Sequence, residues 1–427
     1  MNLIESKDKG ELKILHTVNN LPEGTLVVQS RHCVPNDRKS WSEWLAGYFM
    51  AMLCGLVPPI YLSSLLIIIA YIPSCGYYTT QRIVKFATHP SSDAETANQN
   101  GTTKPPLSAE GTESVWIAVL WGSIAIYLLY AYLDWGVEES GGHRIERLRH
   151  LHIWDYLAIH FPSRLILSDE LVEYSMENRK KTEGETIGGF IGLPTDKTYL
   201  VGYHPHGISP IGLFTSFMTE ANQFSKVFTK LTPVVAGDSR HFYMPLWRDL
   251  LLNLGVISVS EKSLMHVLDP NKEENKGNFV IVLVGGVPEM LESHPHHNVL
   301  YMRRRYGFFR LALQTGSSLI PCLTFGELSL VDQLPNEPGS LTRSIQEYFL
   351  KRIGTPLPFP YPYGIGPIPH RVPVYTVVGA PIPCERISHP SREQVSKLKE
   401  LYLKKLSELY QRYRDSLDPE AGELIFV

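Results

Sequence analysis

Two histidines lie in the turn His204-Pro-His206-Gly207, directly after the short apolar run Tyr199–Tyr203. A neutral imidazole at the carboxyl end of a strand can take a proton from an alcohol. Pro205 fixes its own φ and keeps His204 out of helical geometry, while Gly207 lets the backbone come close to a substrate. A carboxylate, Glu289, closes a second turn, Gly285-Gly286-Val-Pro-Glu289, after the strongly β-prone Phe279–Val284. Two further blocks occupy the same kind of position. They are Ala236-Gly-Asp-Ser-Arg240 and the basic stretch Arg303-Arg304-Arg305-Tyr-Gly-Phe-Phe-Arg310, which leads on to Pro321 and Phe325-Gly-Glu327. A surface turn with incidental histidines has the same local sequence, so the elements that carry these blocks decide between the readings.

From about residue 150 onward, β-rich runs alternate with amphipathic stretches: Tyr199–Tyr203, Thr232–Ala236, Val256–Val259, Phe279–Val284, Leu319–Phe325 and Val374–Val378. This is the pattern of an α/β domain with a mostly parallel sheet flanked by helices. In such a sheet the loops after the strands converge on one edge, bringing base, carboxylate, glycine-lined backbone and arginines into one cleft. Ser391–Leu417 carries Val395, Leu398, Tyr402, Leu406, Leu409 and Tyr413 at helical spacing, which predicts a helix packed on the sheet. Thr355–Pro373 holds seven prolines and reads as an ordered extended loop or lid edge, or as a plain linker.

The N-terminal third reads differently. Residues 1–43 are polar and mixed, and 44–135 form a membrane region ahead of a globular domain at 150–427 that faces the cytosol. No charged side chain occurs from Trp44 to Gln81, and Leu45–Tyr71 is long enough to cross a bilayer, with Pro58-Pro59 marking a kink or a re-entrant hairpin. Ser114–Leu133 is a second uncharged run of spanning length. Between them lies the polar loop Arg82–Glu113 with one acceptor sequon, Asn100-Gly-Thr102. Arg31, Arg38 and Lys39 before the first run, and Arg144, Arg147 and Arg149 after the second, place both flanks in the cytosol, although Arg82 and Lys85 blur that signal. Forty Lys+Arg against 43 Asp+Glu leave a charge of -3, which excludes a nucleic-acid binder on electrostatic grounds. Five scattered cysteines without C-x-x-C spacing argue against a disulfide framework or a zinc site.

In this order and spacing, the blocks resemble those of the type 2 diacylglycerol acyltransferases, with their monoacylglycerol acyltransferase and wax synthase relatives. The resemblance covers roughly residues 115 to 415. It rests on His160-Phe-Pro162, Tyr203-His-Pro-His-Gly207, Ala-Gly-Asp-Ser-Arg240, Gly285-Gly-x-x-Glu289, Arg305-x-Gly-Phe, and Pro321 to Glu327. It implies acyl transfer from acyl-CoA, as co-substrate and without a cofactor, to a lipid hydroxyl at the endoplasmic reticulum membrane. The implied protein is multi-pass and has access to lipid droplets. Diacylglycerol is the expected acceptor, with monoacylglycerol, a long-chain alcohol or a sterol as alternatives. Membrane lipids and a second copy of the chain are the other partners to consider.

The family is distantly similar to glycerolipid acyltransferases that carry His-x-x-x-x-Asp. This chain departs from that pattern, because Ser209 and Ile211 stand five residues after His204 and His206. Glu289 is then the candidate to replace the missing aspartate. In the family the second histidine is the less variable, which makes His206 the expected base and His204 its support. Gly207, Gly285 and Gly286 would offer backbone donors to the oxyanion. Arg240, Arg303 and Arg305 would hold CoA phosphates, or else, with Arg304, form a basic patch facing solvent or headgroups.

His294-Pro-His-His297 reads as an exposed loop rather than a metal cluster, since nothing supplies Cys or Asp at ligand spacing. A scaffold that keeps the fold without the chemistry, and a histidine-metal lipid hydrolase, remain the competing classes. The first predicts no transfer to any acceptor, the second loss of activity with chelator.

Overall fold

The computed structural model describes residues 14–15, 21–28, 109–181, 191–354 and 369–427. Eleven strands occur among them: β1 Ile14–Leu15, β2 Leu26–Val28, β3 Ser163–Leu167, β4 Tyr199–His204, β5 Thr232–Gly237, β6 Val256–Ser258, β7 Asn278–Val282, β8 Val299–Leu300, β9 Ser318–Phe325, β10 Val374–Val378 and β11 Ile425–Phe426. Helices of seven residues or more are α1 Ala109–Leu133, α2 Ile153–His160, α3 Asp169–Lys181, α4 Trp247–Asn253, α5 Glu261–Leu268, α6 Tyr306–Thr315, α7 Leu341–Ile353 and α8 Arg392–Leu417.

Nine strands form one sheet in the order β1-β2-β3-β10-β9-β4-β7-β5-β6. The five from β9 to β6 run parallel, β10 is antiparallel to β9, and β3 is parallel to β10. Each of the six β-rich runs in the sequence is a strand of this sheet. β4 lies between β9 and β7 and is buried along its whole length. That explains why it reads as a continuous apolar run rather than an alternating one.

One face of the sheet is covered by an aromatic cluster of Phe217, Phe224, Phe228 and Phe279. The other is covered by α6 and α8, where Phe308 and Phe309 pack edge-on against Tyr402. A capping box between Ser391 and Gln394 starts α8, whose buried face includes all six apolar positions anticipated for it. Gly202 makes room for that helix in the central strand: a Cβ there would lie 2.1 Å from the Tyr402 Oη. Two contributions to the sheet are absent from the sequence reading. Ser163–Leu167 supplies β3, and residues within the polar N-terminal region supply β1 and β2.

The expected N-terminal membrane segments are not found among the described residues, which include only the second of the two runs. The second run does fold, as α1, which forms a separate compact unit with its neighbours. Its first turns carry Glu110 and Glu113, and Trp121-Gly-Ser123 and three tyrosines break up its aliphatic sequence. Among the described residues no helix is long and apolar enough to cross a membrane. Leu45–Tyr71, the Asn100 sequon and most of the proline-rich stretch lie outside the described residues.

Candidate active site

Because β4, β5, β7 and β9 are parallel, the turns after them open on one edge of the sheet. β4 ends at His204 and delivers His206; β7 leads into Gly285, Gly286 and Glu289; β5 leads to Asp238 and Arg240; β9 delivers Glu327. The sequence blocks therefore do meet, at the end of a parallel sheet where ligands collect.

His206 is 5% exposed. Its Nδ1 lies 2.8 Å from the Gly207 carbonyl oxygen and its Nε2 3.0 Å from that of Gly286. The Nε2 also lies 4.0 Å from Glu289 Oε1. A neutral ring has one N–H and one lone pair, so a proton on Nδ1 bonded to Gly207 leaves Nε2 as the basic nitrogen. The Gly207 carbonyl thus orients the ring, and Glu289 stands beside the nitrogen that would acquire charge. Glu289 is itself buried. Its Oε2 accepts from the Tyr301 amide at 3.2 Å, while Oε1 makes no hydrogen bond. Burial raises this carboxyl above its usual value, although His206, the Tyr301 amide and Arg305 pull it back.

Glycine is required twice here. A Cβ on Gly285 would sit 1.8 Å from Glu289 Oε2. Gly286 adopts φ 64° and ψ -165°, a region open essentially to glycine alone. Gln333 Nε2 donates to the Met290 and Ser293 carbonyls at 2.8 Å each, and Asn336 Nδ2 donates to that of Leu291 at 2.8 Å. These bonds brace the segment that carries Glu289.

His204 is placed apart from this chemistry. It is fully buried, with Nε2 3.0 Å from the Tyr402 Oη of α8. Burial, with a smaller contribution from His206, pushes its pKa down to about 3, so the ring stays neutral.

A cavity of about 610 Å³ opens beside Gly286. Its buried walls include Leu264, Val282, Val284, Phe308 and Leu311, and Arg240, Arg304, Arg305 and Arg310 stand around it. That size suits a sizeable ligand, and apolar walls with a cationic rim suit an amphiphilic anion. Arg305 donates through Nη2 to the Gly285 carbonyl. Arg240 pairs through Nε and Nη2 with both oxygens of Asp238. Burial alone would raise Asp238, but the Arg240 bonds and charge hold it below its usual range. Arg303 is not among the residues around the cavity. Its side chain is exposed, and its carbonyl accepts from Lys399 Nζ at 2.6 Å.

Glu327 was visible in the sequence only as the end of a block, without a role. It is 1% exposed, and its Oε1 accepts from Tyr203 Oη at 2.8 Å and from the Gly212 amide at 2.6 Å. Thr324 Oγ1 lies 2.5 Å from the Pro205 carbonyl and 3.3 Å from Glu327 Oε2. The threonine hydroxyl can donate to the Pro205 carbonyl or to Glu327 Oε2, so Thr324 ties the turn to the carboxyl. Burial pushes the Glu327 carboxyl up to about 8, although the bonds from Tyr203, the Gly212 amide and Thr324 pull it back. The Glu327 backbone also abuts the turn: a Cβ on Gly207, at φ 57°, would come 3.0 Å from its carbonyl oxygen. Tyr203, Thr324 and Glu327 thereby clamp the His-Pro-His-Gly turn from below.

Among the described residues, no group of three or more His, Cys, Asp and Glu side chains converges as a metal site would require. His294 bonds Asn336 at 2.6 Å, and His296 pairs with Asp418 and Glu420.

Residues 190–427, the part of the chain that builds this edge, match the family model for diacylglycerol acyltransferase. The chain belongs to the diacylglycerol acyltransferase family. It is 35% identical over 306 residues to 2-acylglycerol O-acyltransferase 1 of Bos taurus, covering 70% of this chain and 84% of that one. It is 34% identical over 315 residues to diacylglycerol O-acyltransferase 1 of Schizosaccharomyces pombe, covering 71% and 84%. To human diacylglycerol O-acyltransferase 2 it is 31% identical over 313 residues, covering 72% and 74%. No solved structure matches the chain.

Proposed function

We infer that this protein is an acyl-CoA-dependent O-acyltransferase that esterifies the free hydroxyl of diacylglycerol or monoacylglycerol, with His206 as general base. Family membership supports the reaction class. The observation that carries the assignment of the base is the buried pair of His206 and Glu289, 4.0 Å apart, with His206 against the carbonyl of Gly286, a residue that lines an apolar cavity ringed by arginines.

In this reading His206 Nε2 takes the hydroxyl proton as the alcohol oxygen bonds to the thioester carbonyl carbon. The tetrahedral oxyanion collapses, the carbon–sulfur bond breaks, and the CoA thiolate leaves with the proton from the imidazolium. Glu289 stabilises that imidazolium at close range in a site largely closed to water. Arg304, Arg305 and Arg310 hold the CoA phosphates, and Arg240, already neutralised by Asp238, shapes the entrance. The thioester is already activated, so the mechanism calls on no cofactor. Both substrates are amphiphiles drawn from a lipid phase, which places the working enzyme at a membrane or droplet surface, the endoplasmic reticulum being the expected one.

The test is to give the purified full chain radiolabelled long-chain acyl-CoA with diacylglycerol, monoacylglycerol, a long-chain alcohol or no acceptor. Labelled triacylglycerol or diacylglycerol is the expected product. Exclusive labelling of the wax ester would move the acceptor assignment, and no transfer to any acceptor would refute the acyltransferase reading.

A further inference from the structure

Helix α7 is amphipathic in the opposite sense to an ordinary surface helix. Its inward side is polar: Arg343 is 9% exposed and Gln346 fully buried. Arg343 donates to Glu292 at 2.7 Å and to Glu347 at 3.0 Å, and Gln346 Oε1 accepts from Asn336 at 2.9 Å. Its outward side is apolar. Leu341, Ile345 and Tyr348 are spaced as one helical stripe and are 78%, 37% and 57% exposed. A soluble helix turns such a stripe toward the core, and this one has used its other face to brace the Glu289 segment through Glu292 and Asn336.

Two observations identify what the stripe meets. Its C-terminal turn carries the exposed cations Lys351 and Arg352, with the Arg352 guanidinium 5.6 Å above the Tyr348 ring. Apolar residues continued by aromatic and basic ones match the layering of a bilayer interface, where acyl chains give way to anionic headgroups. The same helix also runs into the cavity, since Leu350 and Gly354 stand beside it together with Arg304 and Arg310.

We propose that α7 is an interfacial docking helix: Leu341, Ile345 and Tyr348 lie in the acyl-chain boundary of an anionic lipid surface, bringing the cavity mouth to the lipid that supplies the acceptor. This extends the acyltransferase reading by naming the face on which the acceptor arrives.

The experiment uses the full chain with an environment-sensitive fluorophore on I345C or, as control, on E400C of α8, the unsubstituted chain serving as labelling blank. Vesicles of phosphatidylcholine, with and without phosphatidylserine, carry a nitroxide quencher at the acyl-chain boundary. The label at position 345 should be quenched several-fold more than that at 400, and more strongly with phosphatidylserine. Equal quenching at both positions, or none at 345, overturns the proposal. So does a label at 345 that responds to protein concentration but not to lipid, which would make the stripe a contact between copies.

Because the three residues are exposed, L341S/I345S/Y348S should fold normally. It should raise KM about tenfold for acceptor embedded in vesicles while leaving transfer to a monomeric short-chain acceptor unchanged. Unchanged kinetics in both assays also overturns the docking. Quenching requires no turnover, so a chain that docks but transfers no acyl group sinks the acyltransferase reading alone.

Discussion

The two carboxylates on the catalytic edge are equally buried and oppositely furnished. Glu327, after β9, has each oxygen engaged, by Tyr203, the Gly212 amide and Thr324. Glu289, after β7, leaves Oε1 without a hydrogen bond, and Ser293 Oγ nearby is likewise without a partner among the described residues. A satisfied buried network fixes a conformation, whereas an unsatisfied buried acceptor is costly unless a reaction or ligand uses it. In the proposed mechanism the difference separates the group that holds the turn from the group that meets the changing charge.

Four variants break or sharpen that division. His206→Ala removes the base and should lower kcat for acyl transfer at least about 100-fold, with a melting temperature near wild type. Retained turnover would locate the base elsewhere. Glu289→Gln keeps the shape and removes the charge beside Nε2, so kcat should fall about 10- to 100-fold while KM for acyl-CoA stays put. An equal loss from Glu327→Gln would erase the distinction between the two carboxylates.

Glu327→Gln should instead leave kcat near wild type, because the amide fills the same space and its oxygen still accepts from Tyr203 and the Gly212 amide, and should change the pH dependence of stability. The wild-type carboxyl is raised from 4.5 to about 8 on folding. Its stabilising contribution is therefore full below about 4.5 and declines as pH rises through about 8. Thermal melts across that window should fall with pH in wild type and less so in the variant. The smallest effect belongs to Arg304→Ala with Arg310→Ala. Both arginines are exposed, so KM for acyl-CoA should rise only about three- to tenfold, more at low salt, with kcat unchanged.

Much of this edge was legible because it is built from local signals. Apolar runs ending in glycine- or proline-containing turns gave the strands after which His206, Glu289 and Arg240 stand, and helical spacing gave α8. What stayed hidden depends on contacts distant in sequence. Nothing around Tyr402 says that its hydroxyl meets His204, 198 residues away. Nothing in Phe325-Gly-Glu327 says that this carboxyl is buried and its pKa raised. β3 was missed because Ser163-Arg164 opens it with polar residues; only its place beside β10 explains their tolerance. The second expected membrane segment failed for a related reason. Absence of charge was read as spanning capacity, while Ser114–Leu133 mixes small and aromatic residues into its apolar sequence.

The Gly286 peptide has one more consequence. Its carbonyl oxygen rests against the nitrogen of His206 that would have to accept a proton. On the proposed mechanism this contact would keep the imidazole from activating stray water and so shield a thioester waiting without an acceptor from wasteful hydrolysis. Turning that one peptide aside, which a residue without a side chain can do at little expense, would arm the enzyme only when its second substrate has arrived.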